Sequence, residues 1–410
     1  MSDPTEEDAW GPHRAWSALG DAVTTVVDRV ELVRADLPFL APVGTSLGTH
    51  RNRPLVLVHV VAHRLDGTRV DGWGECAALA DTTYDHEDVE AAVAALEEDF
   101  VPALFPAIGR EGALVSIHGL ADAVASGGHP LAYAALEMAV GDTHLRAARE
   151  TFTDLLGVTG HGIEPGVVLG LPRSVDQLAA DIQLARATGC ARVKIKVAPG
   201  SEALVDDVVR PLVGSGLMVQ LDANGSYGDD AAERLAVLDD LGLACIEQPL
   251  DRGDLDGHRR LAAALDTPIC LDESLESPTQ VIEAVETDAC SMVCVKPARL
   301  GGIGAALEVI AWCSSRGVPW WIGGMFESGY ARGVNRALAA LPGPSLPGDL
   351  APPSSYLVGD LVGPVSGGIA TASGRLVLPV PAGPGLGPAP GDALLDRWTV
   401  RRIVLSGSGA

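Results

Sequence analysis

Seven residues in the middle of the chain have the types and intervals of a single acid–base centre built around a metal. They are Lys194, Lys196, Asp222, Asn224, Glu247, Asp272 and Lys296. From Lys196 through Asp222, Glu247 and Asp272 to Lys296 the steps are 26, 25, 25 and 24 residues. Near-equal steps put each residue at a similar height on successive repeating units. Lys194 and Lys196 are two apart, so on a strand both project to the same face. Asp222 and Asn224 repeat that pattern. Lysines and three carboxylates facing one buried space cost a great deal unless their charges are compensated. Asp222, Glu247 and Asp272 offer hard oxygens, with no sulfur or imidazole among them. That set suits Mg²⁺, with the remaining positions left to water or substrate oxygens. Taken singly, each charged residue fits a buried ion pair equally well; five strand ends in register favour a site.

Such a centre would remove a proton from carbon. A lysine with an ordinary pKa of about 10.4 is a poor base at neutral pH. A like-charged neighbour and a nearby dication both disfavour the ammonium form. Lys194 is therefore expected to depress Lys196, with Lys296 facing it across the site. A proton next to a carboxylate leaves only if the resulting enediolate is stabilised, and a dication on the carboxylate oxygens does this.

The flanking sequence supplies the elements that would position these groups. Short apolar strands are expected at 166–170, 192–197, 218–222, 244–247, 269–272, 292–296 and 319–323. Helices are expected between and after them, at 174–188, 202–213, 229–241, 255–265, 278–286, 303–316 and 330–340. This alternation means parallel strands joined by helical crossovers. It fits an open doubly wound sheet or a closed barrel. Polar residues at every strand end converge only around a barrel mouth, which favours the barrel. The first 160 residues read differently. Strands at 26–34 and 54–63 flank a small-residue loop, Ala41–Arg51, suited to a lid or to a plain hairpin connection. A turn into an edge segment at 72–77 and helices at 87–100, 114–125 and 130–149 complete an α+β pattern. Residues 1–25 are polar and irregular, and read as an extension.

Bulk properties narrow the classes. The 410 residues, 47% of them hydrophobic, are enough for a large core and two domains. The net charge of −25 disfavours nucleic acid and anionic membranes as partners. No run of 18 apolar residues provides a membrane span. The acidic start lacks a secretory pattern, so a cytoplasmic location is expected. Seven scattered cysteines in apolar surroundings read as reduced and buried. Cys290 and Cys294 have no second pair or flanking histidine to complete a zinc site.

The segments Val193-Lys-Ile-Lys-Val197, Leu221-Asp-Ala-Asn224, Ile246-Glu-Gln-Pro249, Leu271-Asp-Glu-Ser274 and Val295-Lys-Pro297 together resemble the signature of the enolase superfamily, muconate-lactonising branch. Gly323-Gly-Met-Phe-Glu-Ser-Gly329, with Arg332 following, resembles the o-succinylbenzoate synthase and N-succinylamino acid racemase subgroup. So does Pro381-Ala-Gly-Pro-Gly-Leu-Gly387. The resemblance runs from about Val26 to Arg402. It implies a modified TIM barrel, (β/α)7β, over residues 161–350. It also implies an α+β capping domain over 26–160, to which residues 351–410 return. Asp222, Glu247 and Asp272 would bind Mg²⁺, with Mn²⁺ able to substitute. Lys196 would be the acid/base and Lys296 the enediolate-stabilising ammonium. Lys194, Asn224, Gly324, Met325 and Arg332 would contact the substrate or support the site. The implied reaction eliminates water from a succinyl-bearing cyclohexadiene carboxylate, giving a menaquinone precursor. Homo-oligomers are common among such relatives. Relatives often carry serine where Val168 stands, and smaller residues where Phe326 and Tyr330 stand, which points to a reshaped pocket. The same base set also serves racemases. A metal-free Schiff-base barrel enzyme and a non-catalytic binding protein are weaker alternatives, since neither needs three acids in register with the lysines.

Overall fold

The chain was analysed as a computed structural model, which describes residues 11–21, 25–44, 49–108, 112–160, 162–364, 369–370 and 374–407. Its centre is a seven-stranded, wholly parallel sheet whose spatial order follows the chain. The strands are β5 (Gly166–Leu169), β6 (Arg192–Lys196), β7 (Met218–Asp222), β8 (Ile246–Glu247), β9 (Ile269–Leu271), β10 (Met292–Val295) and β11 (Trp320–Ile322). Helices join each to the next. Serine caps start two of them: the Ser174 and Ser277 hydroxyls accept from the Gln177 and Gln280 N–H groups. Gly317 closes the helix Ile303–Arg316 in the left-handed region, at φ 68°.

Strand alternation sorts the side chains. Val193 and Ile195 are fully buried against apolar neighbours, while Arg192, Lys194 and Lys196 share the opposite face. The segment 345–350 has no regular structure but bonds to both edges of the sheet. The Ser345 N–H donates to the Trp320 carbonyl at 2.8 Å, and the Gly166 N–H to the Gly348 carbonyl at 2.7 Å.

A separate antiparallel sheet, in order β14-β1-β2-β3, packs beside this unit. Its strands are β1 (Thr25–Gly44), β2 (Thr49–Arg64), β3 (Arg69–Cys76) and β14 (Thr399–Leu405). A small third sheet holds β4 (Gly162–Ile163), β12 (Ile369–Ala370) and β13 (Leu376–Pro379). The long helix Pro130–Ala148 lies directly on β3. A Cβ at Gly72 or Gly74 would come within 2.5 Å of backbone oxygens of Ala139 or Ala135, so only glycine allows the approach.

Two expectations change here. Most of the Ala41–Arg51 stretch is strand, because β1 and β2 continue outward as a ribbon pairing Val43 with His50. Its tip, 45–48, lies outside the described residues. Within the expected extension, residues 1–10 and 22–24 also lie outside, but Gly11–Ser17 is a helix with Trp16 wholly buried. Trp16 packs edge-on to Phe152, with ring centroids 5.6 Å apart. Its indole N–H donates to Glu137 at 3.0 Å. Glu137 also accepts from the Ile303 and Gly304 N–H groups, fixing the start of the helix Ile303–Arg316. A short polar segment gave no apolar periodicity, so one anchoring tryptophan was not legible. Trp16→Phe should lose about 1–3 kcal/mol in urea denaturation, because a buried carboxylate loses a donor; an unchanged midpoint would show that the anchor is idle.

Candidate active site

The parallel strands end in charged residues, and these meet. Lys194 is the hub. Its ammonium lies 3.0 Å from Glu247, 3.3 Å from Asp222 and 2.5 Å from Asp349. It is 5% exposed and sits over the Trp321 ring, 5.3 Å from its centroid. Burial alone would lower its pKa, but Asp222, Asp349 and Glu247 hold it well above the ordinary lysine value.

Lys196 stands nearer the opening. It donates to the Asn224 side-chain oxygen and lies 3.7 Å from Asp222. The Tyr84 ring, contributed by the segment before the helices of the antiparallel unit, is 5.4 Å from its nitrogen. Lys194 does push the Lys196 pKa down, as the sequence suggested, and burial pushes it further. With protein groups alone, however, Asp222 and other anionic neighbours outweigh both, and Lys196 stays above its usual value. Lys196 pairs in register with Asp222 across β6 and β7, an acidic neighbour that its own strand does not show.

Across the mouth, Lys296 donates to Asp272 at 2.7 Å. Arg299 grips the other oxygen of Asp272 and binds Asp85 at 2.6 Å. Burial would raise the Asp272 pKa, but Arg299 and Lys296 hold it far below the carboxylate range. Glu247 goes the other way. Burial, then Asp222, push it well above its ordinary value, although Lys194 and Gln220 donate to it. Asp222 is in register with Glu247 on the neighbouring strand. Among the described residues, oxygens of Glu247 and Asp272 and the Cys294 sulfur lie within 4.8 Å of one another. Buried carboxyls this close, one of them held above its usual pKa by burial and by the acids beside it, form a donor set that a divalent cation fits by supplying the missing positive charge.

Asn224 and Gln248 turn the chain at the strand tips in the left-handed region, with φ 43° and 39°. Asn224 also donates to Glu273 at 3.0 Å, and Gln248 accepts from the Asp272 and Ser274 N–H groups. Beside them is a cavity of about 270 Å³ lined by Tyr84, Asn224, Ser226, Gln248, Arg252 and Glu273.

The residues after β11 divide. Gly324 leaves space that a Cβ would fill, 2.4 Å from Arg332 and 2.7 Å from the Asp349 carbonyl. Met325 is buried, and its N–H donates to Glu327. Arg332 lies in the interior beside Asp349. It is 3% exposed, with its guanidinium committed to Glu327 at 2.7 Å, the Tyr356 hydroxyl at 2.8 Å and the Asp349 carbonyl. The resemblance implied a substrate contact for Arg332, and these three partners are all protein groups. Tyr330 likewise ties the two units together, donating to the Trp73 carbonyl at 2.6 Å. Phe326, at φ 57°, packs edge-on to Phe39 of β1 and to Tyr356. Val168 is 44% exposed, in register with Lys194.

Sequence reasoning passed over Asp349, Arg299 and Asp85. The arginine was the detectable one, three residues after Lys296 in Lys296-Pro-Ala-Arg299.

A family model described as enolase C-terminal domain-like matches residues 177–393. The chain is 38% identical to an N-succinylamino acid racemase of an Amycolatopsis species, over 91% of this chain and 98% of that protein. It is 36% identical to the o-succinylbenzoate synthase of Geobacillus kaustophilus, over 91% and 96%. Among solved structures, an enolase-superfamily protein from Listeria innocua Clip11262 superposes with a TM-score of 0.83 at 29% identity, covering 93% of this chain and 99% of that one. The chain belongs to the enolase superfamily. The racemase and the synthase just named carry the two activities of the subgroup that the Gly323–Gly329 motif resembles.

Proposed function

We propose that the chain is a Mg²⁺-dependent, cytoplasmic o-succinylbenzoate synthase, dehydrating a succinyl-bearing cyclohexadiene carboxylate for menaquinone synthesis. The observation that carries this is the meeting of Lys194 with acids from three separate segments, with Lys196 beside Asp222 and Lys296 on Asp272. Identity of 30–36% to several synthases, over most of the chain, supports the substrate class. In this reading the parallel unit is a (β/α)7β barrel, closed where 345–350 bonds to β5 and β11. The antiparallel unit is its cap.

Asp222, Glu247 and Asp272 would hold a divalent ion, which when bound would supply positive charge to the substrate carboxylate and offset the anion that otherwise keeps Lys196 protonated. The neutral Lys196 amine takes the α-proton, and Asn224 fixes its position. The electron pair moves toward the carboxylate, where the Lys296 ammonium faces the developing charge. Lys196 then returns its proton to the departing hydroxyl on the same ring face, so that C–O cleavage releases water.

N-succinylamino acid racemisation is the second reading, favoured by the 38% relative and by lysines on β6 and at the end of β10, with three strands between them. Purified protein with Mg²⁺ should consume the cyclohexadiene substrate, followed by ultraviolet absorbance. N-succinyl-phenylalanine, followed by optical rotation, tests the second reading. Rapid rotation loss without any dehydration would replace the synthase assignment.

A further inference from the structure

We infer that Cys294 adds a thiol arm to the carboxylate site, so that the chain binds one thiophilic dication, such as Cd²⁺, through Glu247, Asp272 and Cys294. The inference deepens the divalent-ion reading above and rests on it. Cys294 lies two residues before Lys296, and so shares its face of the strand. Gly323 fixes where that face looks: a Cβ there would sit 2.6 Å from the Cys294 sulfur and 2.9 Å from the Lys296 Cε. The glycine therefore leaves both side chains room in the interior. Cys294 is 2% exposed.

Its donors are close enough. Oxygens of Glu247 and Asp272 and the Cys294 sulfur lie within 4.8 Å of one another. Metal–sulfur and metal–oxygen bonds of about 2.3 and 2.1 Å hold such donors about 3.6 Å apart around a tetrahedral ion, so small side-chain rotations complete the set. Cys294 also differs from the thiols beneath it. Cys270 accepts from the Trp321 indole at 3.4 Å. The Cys294 sulfur has no hydrogen-bond partner among the described residues. In the sequence Cys290 and Cys294 lack a second pair to complete a metal site; the fold places two carboxylates beside Cys294. Hard ions leave the thiol protonated and use oxygen, whereas soft ions favour sulfur. Binding breaks the S–H bond, releases the proton to water and forms a metal–sulfur bond, with no change of oxidation state.

The test uses the full chain, stripped of metal by a chelator and titrated with Cd²⁺. Calorimetry reads binding, and ultraviolet difference spectra read the thiolate-to-cadmium charge-transfer band. A band saturating at one ion per chain is expected, lost in Cys294→Ser, kept in Cys270→Ser and erased by excess Mg²⁺. Cys294→Ala replaces the serine variant if circular dichroism shows that one to be unfolded. A band that persists without Cys294 overturns the inference. So does Cd²⁺ that displaces Mg²⁺ with no band, and that result leaves the magnesium reading intact. Failure of both ions to bind overturns the magnesium reading and this inference together.

Discussion

Lys196→Ala should lower kcat about 10²–10⁴-fold, the range that a positioned general acid–base supplies, with the fold unchanged. The side chain is 31% exposed, and its partners keep other contacts: Asn224 with Glu273, and Asp222 with Lys194. Removing it strands no buried charge, so circular dichroism and the urea midpoint should match the parent. Lys196→Arg separates charge from proton transfer. Arginine keeps the cation beside Asp222 but does not deprotonate in proteins. It should therefore be as inactive as the alanine variant. An active arginine variant would mean that position 196 supplies only positive charge, and the base would have to be sought elsewhere.

Asp349→Ala should cost about 3 kcal/mol or more of stability, the low end for breaking a buried ion pair by removing one partner. Asp349 binds Lys194 at 2.5 Å through one oxygen and Arg192 through the other, and both cations are within the interior. Asp222 and Glu247 remain for Lys194, and among the described residues only the Gln220 side chain still accepts a hydrogen bond from the Arg192 guanidinium. Burial would raise the Asp349 pKa, but Lys194 and Arg192 depress it far below the carboxylate range. A carboxylate with a depressed folded-state pKa stabilises above its unfolded value and loses that contribution as pH falls. The variant should therefore lose most stability at neutral pH and approach the parent in acid. Because the contribution is lost only as pH falls below about 4, urea denaturation at pH 7 and near pH 2.5 checks this. An equal deficit at both would assign the loss to packing rather than charge.

The sequence carried the site as far as its own periodicity reached. Lys194, Lys196, Asp222, Glu247, Asp272 and Lys296 were legible because each ends a short apolar strand in a repeat of about 25 residues. Strand bounds followed to within a few residues; Met218–Asp222 and the helices Pro278–Glu286 and Ile303–Arg316 match the expected ranges. Asp349 had no such signal. It lies in Pro344-Ser-Leu-Pro-Gly-Asp-Leu350, a stretch without strand pattern, and contacts β5 and β11 decide its position. Asp85 sits among turns, and only the packing of the two units brings it to Arg299. The balance of protein charges on Lys196 depends on the same kind of packing. Sequence showed its neighbour along the strand, and the neighbour across the sheet decides the balance.

Crystals soaked with Mg²⁺ and o-succinylbenzoate would test the centre most directly. The expected result is one ion about 2.1 Å from oxygens of Asp222, Glu247 and Asp272, with the ligand's ring-bound carboxylate in its remaining positions and the Lys196 and Lys296 nitrogens on opposite ring faces. An ion bound by other residues, or three carboxylates that share no ion while the ligand is seated elsewhere, would contradict the account.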